Sequence, residues 1–239
     1  MDLEKYYINL MDKSKNILIE SFKSKSNFSN CHAFLDDLDN WITILSERYE
    51  KQLYLSAINE YQRSLYLVLQ GSYRQAFIAL RFFIEHTCAA IYFSVREIDY
   101  RFWTKGQLDI SWSKVTDRDL GVFSKKYISL YFEGLSEYYE QFDSLAKKLY
   151  RECSEYTHGN YITYQHLDHE LKYNQELFDK FIETAQNVNR LITFILTARF
   201  WNSMDFKQRN KLESSITDYI GFTKYFAYQM PLESEANYV

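Results

Sequence analysis

One short segment carries the two side chains of this chain that are best suited to phosphate chemistry. Residues 150–160 read YRECSEYTHGN, with Arg151 and His158 seven positions apart. On a helix, seven steps are almost two full turns, so both side chains leave the same face about 10 Å apart along the axis. A guanidinium binds phosphate oxygens through forked hydrogen bonds, and histidine exchanges protons near neutral pH. The pair therefore predicts chemistry on a phosphate ester.

The sequence around this pair predicts the helix that must position it. Gly159 and Asn160 are residue types that end helices, so His158 is expected on a last helical turn. An apolar stripe at helical spacing predicts the core side, and its members are Leu135, Tyr138, Phe142, Leu145, Leu149, Cys153 and Tyr156. Arg151 lies about 200° around the helix from Leu149 and faces away from that core.

Several polar residues accompany Arg151 and His158 on or near the outward face. They are Lys147, Lys148, Ser154 and Glu155. A second interpretation of this face is a solvated surface, in which Arg151 and Glu155 form an ordinary ion pair and His158 lies at a helix C-terminus that favours a cation.

Composition predicts an all-α protein without a general nucleic-acid-binding surface. The 239 residues are 46% hydrophobic and include only one Pro and six Gly, which favours long helices. The net charge of −4 excludes the overall basic surface of non-specific nucleic-acid binders, so RNA contact needs a local basic face. Three widely spaced cysteines at 31, 88 and 153 fit neither a disulfide framework nor a zinc site.

The most apolar stretch, residues 75–95, is interrupted by Arg81, Glu85 and His86, which indicates a buried helix of a soluble protein rather than a membrane span. The first residues, MDLEKYY, lack the basic-then-apolar pattern of a signal peptide. A cytoplasmic protein that does not bind membranes is expected.

Hydrophobic periodicity predicts one helical domain over residues 1–239, with a core at about 30–201. Gly71-Ser72 is expected to be a tight turn. Residues 99–124, which include Trp103 and Trp112, are expected to form a structured loop. The predicted helices cover 2–24, 30–70 with a bend midway, 73–97 as the most buried, 127–158 with a break near Gly134, 168–201 and about 205–220, followed by a frayed tail.

Three further sets of residues have alternative interpretations. Arg81 and Glu85, at i and i+4 in an apolar helix, predict a structural ion pair or a pair that orients the Arg151/His158 face; Arg74 extends this stripe. Trp103, Trp112, Lys105 and Gly106 fit either base stacking or an aromatic plug over the end of the bundle. Two sets of residues have the spacing of metal ligands: His166, Asp168 and His169 form one, and Glu155 with His158 the other. A thiol–base couple of Cys153 and His158 is a further interpretation, although these side chains diverge by about 140° around a helix.

Three segments resemble HEPN domains, which are all-helical modules of prokaryotic toxin–antitoxin and antiphage systems. The family motif is Arg, a polar residue, and His after four to six intervening residues, which Arg151, Glu152 and His158 match at the longest spacing. The similarity covers roughly residues 70–200, and the segments are GSYRQAFIALRFFIE at 71–85, WTKGQ at 103–107 and LYRECSEYTHGN at 149–160.

The resemblance implies an up-down bundle of long antiparallel helices and metal-independent cleavage of RNA where two protomers of a homodimer meet. His158 would activate a ribose 2′-OH or protonate the leaving oxygen, and Arg151 would stabilise the phosphorane charge. Neither a cofactor nor a metal is implied, and an antitoxin or another defence-system protein is an expected partner. The supporting residues would be Glu152, Ser154, Glu155, Arg81 and Glu85, and the RNA-binding residues Lys147, Lys148, Lys105 and Trp103.

Glu152 stands where catalytic members usually carry Asn, Asp or His. A second expectation therefore stays open, namely a catalytically inactive HEPN-like module that binds a partner protein.

Overall fold

The computed structural model describes residues 2–158, 161 and 170–229, which form helices joined by turns and contain no strand. This confirms the predicted all-α class. The α-helices are α1 (Leu3–Ser21), α2 (Lys25–Ile44), α3 (Lys51–Leu69), α4 (Tyr73–Phe93), α5 (Glu97–Thr104), α6 (Trp112–Val115), α7 (Lys125–Phe132), α8 (Tyr139–His158), α9 (Gln175–Phe200), α10 (Phe206–Ile220) and α11 (Lys224–Gln229), with 3-10 turns at Phe22–Ser24, Glu133–Tyr138 and Trp201–Ser203.

Polar side chains fix where several of these helices begin. Asp2 accepts hydrogen bonds from backbone N–H groups in the first turn of α1, and Asn174 does the same for α9. Asp205 and Gln208 form a reciprocal capping box at the start of α10. Each cap satisfies donors that the first helical turn leaves without a partner.

Gly71 joins α3 and α4 into a helical hairpin, as the sequence predicts. Its φ of +75° lies in the left-handed region. The N–H of Ser72 donates to the carbonyl of Leu67 at 3.0 Å, and the N–H of Gly71 donates to that of Val68 at 3.1 Å. These two bonds define a Schellman ending, which turns the chain back so that α4 packs along α3.

The hydrophobic core lies around α4 and α9. Helix α4 packs against α3, α8 and α9, and α9 also contacts α2, α7 and α10. Two parallel ring stacks hold α8 against this centre: Phe142 on Phe194 of α9 at 3.6 Å between centroids, and Tyr156 on Phe77 of α4 at 4.0 Å. The helix that carries Arg151 and His158 is thus fixed to the core on one side.

Three predicted boundaries were wrong. The region 30–70 is two helices, α2 and α3, separated by a turn in which the Glu50 carboxylate is buried beside Arg48. The region 99–124 contains the end of α5 and all of α6, which are too short to show a clear hydrophobic period. Helix α9 begins at Gln175, because residues 170–174 are not helical and Asn174 caps the next turn.

Helix α4 is long and apolar enough to cross a membrane by length and composition, but 67% of its most apolar window is buried inside the protein. Core helices of soluble proteins pass the same test, so this helix is weak evidence for a membrane span.

Candidate functional site

Helix α8 is amphipathic in the register that the sequence predicts. Phe142, Leu149, Cys153 and Tyr156 are buried on its inner side. Its last described residue is His158, because Gly159 and Asn160 lie outside the described residues.

Arg151 and His158 lie together on the outer face of α8. The Arg151 side chain is 84% exposed, and its Nε is 3.7 Å from Oε1 of Glu155, too far for a hydrogen bond. His158 is also exposed and makes no hydrogen bond within the described residues. Within the described residues, one guanidinium and one imidazole are therefore exposed on the same face of α8.

Carboxylates one turn away balance each cation that precedes His158 on this face. Lys147 pairs with Asp143, and Lys148 lies 3.7 Å from Glu152. With Arg151 and Glu155, these pairs form a row of i,i+4 contacts along α8. An anion must compete with these carboxylates, which costs little because exposed pairs of this kind contribute only about 0–1 kcal/mol.

A half-buried cluster of polar and charged side chains supports α8 next to Arg151. Arg81 on α4 donates through Nη2 to Oε1 of Glu85 at 3.0 Å and to the hydroxyl of Tyr150 at 2.8 Å. Its guanidinium also lies 4.8 Å from the centre of the Tyr150 ring. Burial and the nearby Glu85 carboxylate raise the pKa of Tyr150, so its hydroxyl stays protonated. The predicted Arg81–Glu85 pair is present, and it reaches the residue next to Arg151.

A second arginine of α4 holds the last turn of α8. Arg74 donates from Nε to the backbone carbonyl of Tyr156 at 2.9 Å. The ammonium group of Lys180 on α9 lies 5.6 Å from the centre of the Tyr156 ring. Arg81 and Arg74 therefore hold α8 at two points, next to Arg151 at Tyr150 and two residues before His158 at Tyr156.

Trp112 covers the other side of Tyr150, which the sequence did not indicate. The two rings stack 4.2 Å apart and are nearly parallel. Trp103, the residue predicted to bind RNA, instead packs at 5.7 Å from Phe93 and 5.9 Å from Tyr100. Lys105 is exposed at the end of α5. Of these two tryptophans, Trp112 is the one whose ring stacks on α8.

Two side chains near Arg151 have structural partners. The Ser154 hydroxyl donates to the backbone carbonyl of Tyr150 at 2.6 Å. Cys153 is completely buried, and this burial raises the pKa of its thiol. Cys153 points inward and His158 outward, so they do not form a thiol–base couple.

The described residues contain no cluster of three or more potential metal ligands. The His166, Asp168 and His169 motif lies outside those residues.

Comparison of the chain with protein-family models, with curated proteins and with solved structures finds no match in any of the three. Function is therefore inferred from the geometry of α8 and its neighbours.

Proposed function

We propose that this chain is a metal-independent endoribonuclease of the HEPN type, a cytoplasmic antiparallel helical bundle whose active site forms where two copies meet. The observation that carries the proposal is the presence of Arg151 and His158 together on an exposed face of α8, which is fixed from behind by Arg74 and Arg81. Catalytic groups need this combination of access to solvent and a rigid support.

The proposed reaction is an acid–base transesterification. His158 of one copy takes the proton of a ribose 2′-OH, and the resulting oxygen attacks the adjacent phosphorus. Arg151 donates hydrogen bonds to the phosphorane oxygens as negative charge develops. The partner's His158 gives a proton to the departing 5′ oxygen. The products are a 2′,3′-cyclic phosphate and a free 5′-hydroxyl, and no metal or cofactor takes part.

Two copies are proposed because acid–base catalysis at both oxygens needs two proton-transfer groups. One α8 contributes a single imidazole. The hydroxyl of Tyr150 points away from the outer face toward Arg81, and Ser154 is bonded to its own helix. A second α8 supplies the second imidazole and a second guanidinium.

The experiment is cleavage of a single-stranded RNA by purified protein in EDTA. The variants are Arg151→Ala and His158→Ala, with Lys211→Ala as a control for loss of an exposed cation on α10. Both site variants are expected to lose about 100-fold or more of the rate, whereas Lys211→Ala keeps it. The new ends should be 2′,3′-cyclic phosphates.

The row of paired carboxylates favours a second candidate function, an inactive helical module that binds a protein partner. Glu152 is engaged with Lys148 and Glu155 lies beside Arg151, as expected of a solvated helix surface. Wild-type protein that cleaves RNA no faster than His158→Ala would favour this alternative.

A further inference from the structure

Helix α1 and the 3-10 turn that follows it expose several large apolar side chains, which we call the outer flank. It consists of Tyr7, Ile8, Met11, Ile19 and Phe22. Met11 is 72% exposed and Ile19 is 53% exposed, although α1 also packs on α3 through Ile17. Soluble proteins seldom leave so many adjacent apolar side chains in water without a partner.

An apolar groove runs beside the outer flank. It consists of a cavity of about 370 Å³ between α1 and α3 and one of about 480 Å³ between α2 and α3, and both are lined by Tyr66 and Leu69. Tyr7 and Met11 line the first cavity, and Phe22 and Phe28 line the second. The groove and the outer flank therefore adjoin each other and share Tyr7, Met11 and Phe22.

The charge of α1 favours a protein partner over a lipid surface. Residues 2–23 contain four acidic and four basic residues, so the segment has no net charge. Helices that lie on anionic membranes carry an excess of Lys and Arg on their polar face. Asp12, next to the outer flank, is exposed and would face the lipid headgroups.

When two α1 helices lie antiparallel in one particular register, the charges of one copy face opposite charges of the other. If Ile8 of each copy faces Ile19 of the other, Asp12 of each copy faces Lys15 of the other, because Asp12 follows Ile8 by four residues and Lys15 precedes Ile19 by four. Asp12 and Lys15 are exposed and make no ion pair within the described residues. Glu4 then faces Lys23, whose ammonium pairs with Glu20 of its own chain.

We propose that α1 is a self-association surface, on which two copies of this chain pair their α1 helices antiparallel about a two-fold axis between Asp12 and Lys15. The helix of each copy covers the part of the other's outer flank that holds Ile8 and Ile19. The pairing buries Ile8 and Ile19 on each other and forms two Asp12–Lys15 ion pairs related by the axis. It does not depend on the proposed ribonuclease activity.

The test is a charge swap read by light scattering over a concentration series. Because the proposed site on α8 would itself join two copies, wild-type chain is expected to form a species of at least twice 28.9 kDa, and each variant is compared with it at equal concentration. Asp12→Lys and Lys15→Asp, each alone, place like charges across the axis twice and should raise the dissociation constant roughly tenfold or more. The double variant Asp12→Lys/Lys15→Asp restores opposite charges in the same register and should recover dimerisation.

Lys211→Asp on α10 is the matched control for charge reversal and should dimerise like the wild type. Circular dichroism of all variants verifies that the helices are intact. A wild-type chain that stays monomeric overturns the proposal, as does a dimer that is indifferent to both single reversals. Monomeric chain that sediments with phosphatidylglycerol vesicles through Ile8 and Ile19 would assign α1 to a membrane and overturn it too.

Discussion

Arg81 on α4 and Arg151 on the neighbouring α8 show how its surroundings determine the role of a guanidinium. Arg81 is 17% exposed, and Glu85 and the Tyr150 hydroxyl occupy its donors. Arg151 is 84% exposed and has only a long contact with Glu155. A guanidinium with occupied donors holds structure, whereas one with open donors binds ligands. Arg81 therefore positions α8, whereas Arg151 has the exposed guanidinium to which the proposed reaction assigns phosphate binding.

Arg81→Met should destabilise the protein more than Tyr150→Phe. The first substitution leaves the half-buried Glu85 without its cation and should cost roughly 2–3 kcal/mol of unfolding free energy. The second removes one hydrogen bond and keeps the ring stacked on Trp112, so about 1 kcal/mol is expected. Urea denaturation measures both values.

Arg101→Ala is the matched control, because it has the same i,i+4 spacing from its partner Glu97 and both side chains of that pair are exposed. It should change stability by less than about 0.5 kcal/mol. Equal losses of unfolding free energy for Arg81→Met and Arg101→Ala would show that the Arg81 cluster behind α8 contributes no more than an exposed ion pair.

His86 should make stability depend on pH in mildly acidic solution. Burial lowers the pKa of His86 below its ordinary value of 6.5, although Glu60 and Glu85 act in the opposite direction. The unfolded chain therefore binds a proton at this histidine more readily than the folded protein does. This contribution to stability is full above about pH 6.5 and is lost as the pH falls through the folded pKa.

The measurement is the unfolding free energy at several values between about pH 7.5 and 5 for the wild type and His86→Gln. The wild type should lose more stability on acidification than the variant. Parallel profiles would contradict this role of His86. Comparing the wild type with His86→Gln cancels the contributions that other groups make to the pH dependence. One such group is Asp37, whose pKa is raised by burial and which stabilises the folded protein on acidification.

At the scale of helices, two glycines in left-handed turns provide an internal comparison. Gly71 and Gly106 have φ of +75° and +67°, and both end a helix with Schellman hydrogen bonds. A Cβ at Gly71 would lie 2.8 Å from Cδ1 of Ile17, whereas one at Gly106 would meet nothing within 4 Å. Gly106→Ala should cost about 1 kcal/mol from backbone strain, and Gly71→Ala about 2 kcal/mol or more.

Thermal or urea unfolding of the two variants tests this difference. The unfolding free energy that Gly71→Ala loses in excess of Gly106→Ala should become smaller when Ile17 is also replaced by Val. Valine lacks the Cδ1 atom that lies nearest to the new Cβ. An equal loss in Gly71→Ala and Gly106→Ala would mean that α1 does not pack closely on the α3–α4 turn.

The helices that the sequence predicted well are those whose information is local. The Gly71 turn, the start of α10 and the inward stripe of α8 follow from nearby residue types and spacing. Arg81 and Glu85 were predictable as a pair because i,i+4 spacing brings them together on one helix.

The contacts that the sequence could not predict join residues far apart in the chain. Trp112 stacks on Tyr150, and Arg74 binds the carbonyl of Tyr156. No periodic pattern links the tryptophan of the one-turn helix α6 to a tyrosine on another helix, since tertiary packing selects such partners. The helix α5 was missed because eight residues give barely two turns of apolar spacing.

The net charge of −4 restricts where the molecule could bind the RNA of the proposed reaction. On the face of α8 the available cations are Lys147, Lys148 and Arg151, each with a carboxylate one turn away. RNA binding should therefore be weak at physiological salt and should fall as salt increases, with few phosphates neutralised.

Lys147→Ala tests this expectation by fluorescence anisotropy with labelled RNA at several salt concentrations. The slope of log affinity against log salt should become shallower by about 0.7 for each lost phosphate contact, and the loss should be similar for different RNA sequences. Lys211→Ala should leave both the affinity and the slope as in the wild type. A Lys147→Ala slope equal to that of the wild type would place the RNA elsewhere.

The measurement that tests the central claim most directly is the pH–rate profile of RNA cleavage in EDTA for the wild type and His158→Ala. A bell-shaped profile is expected for the wild type, because one imidazole must be neutral and the other protonated. In His158→Ala both limbs should disappear with the activity, and an RNA whose scissile nucleotide lacks the 2′-OH should resist cleavage. A His158→Ala variant that cleaves RNA at the wild-type rate would contradict the proposed site.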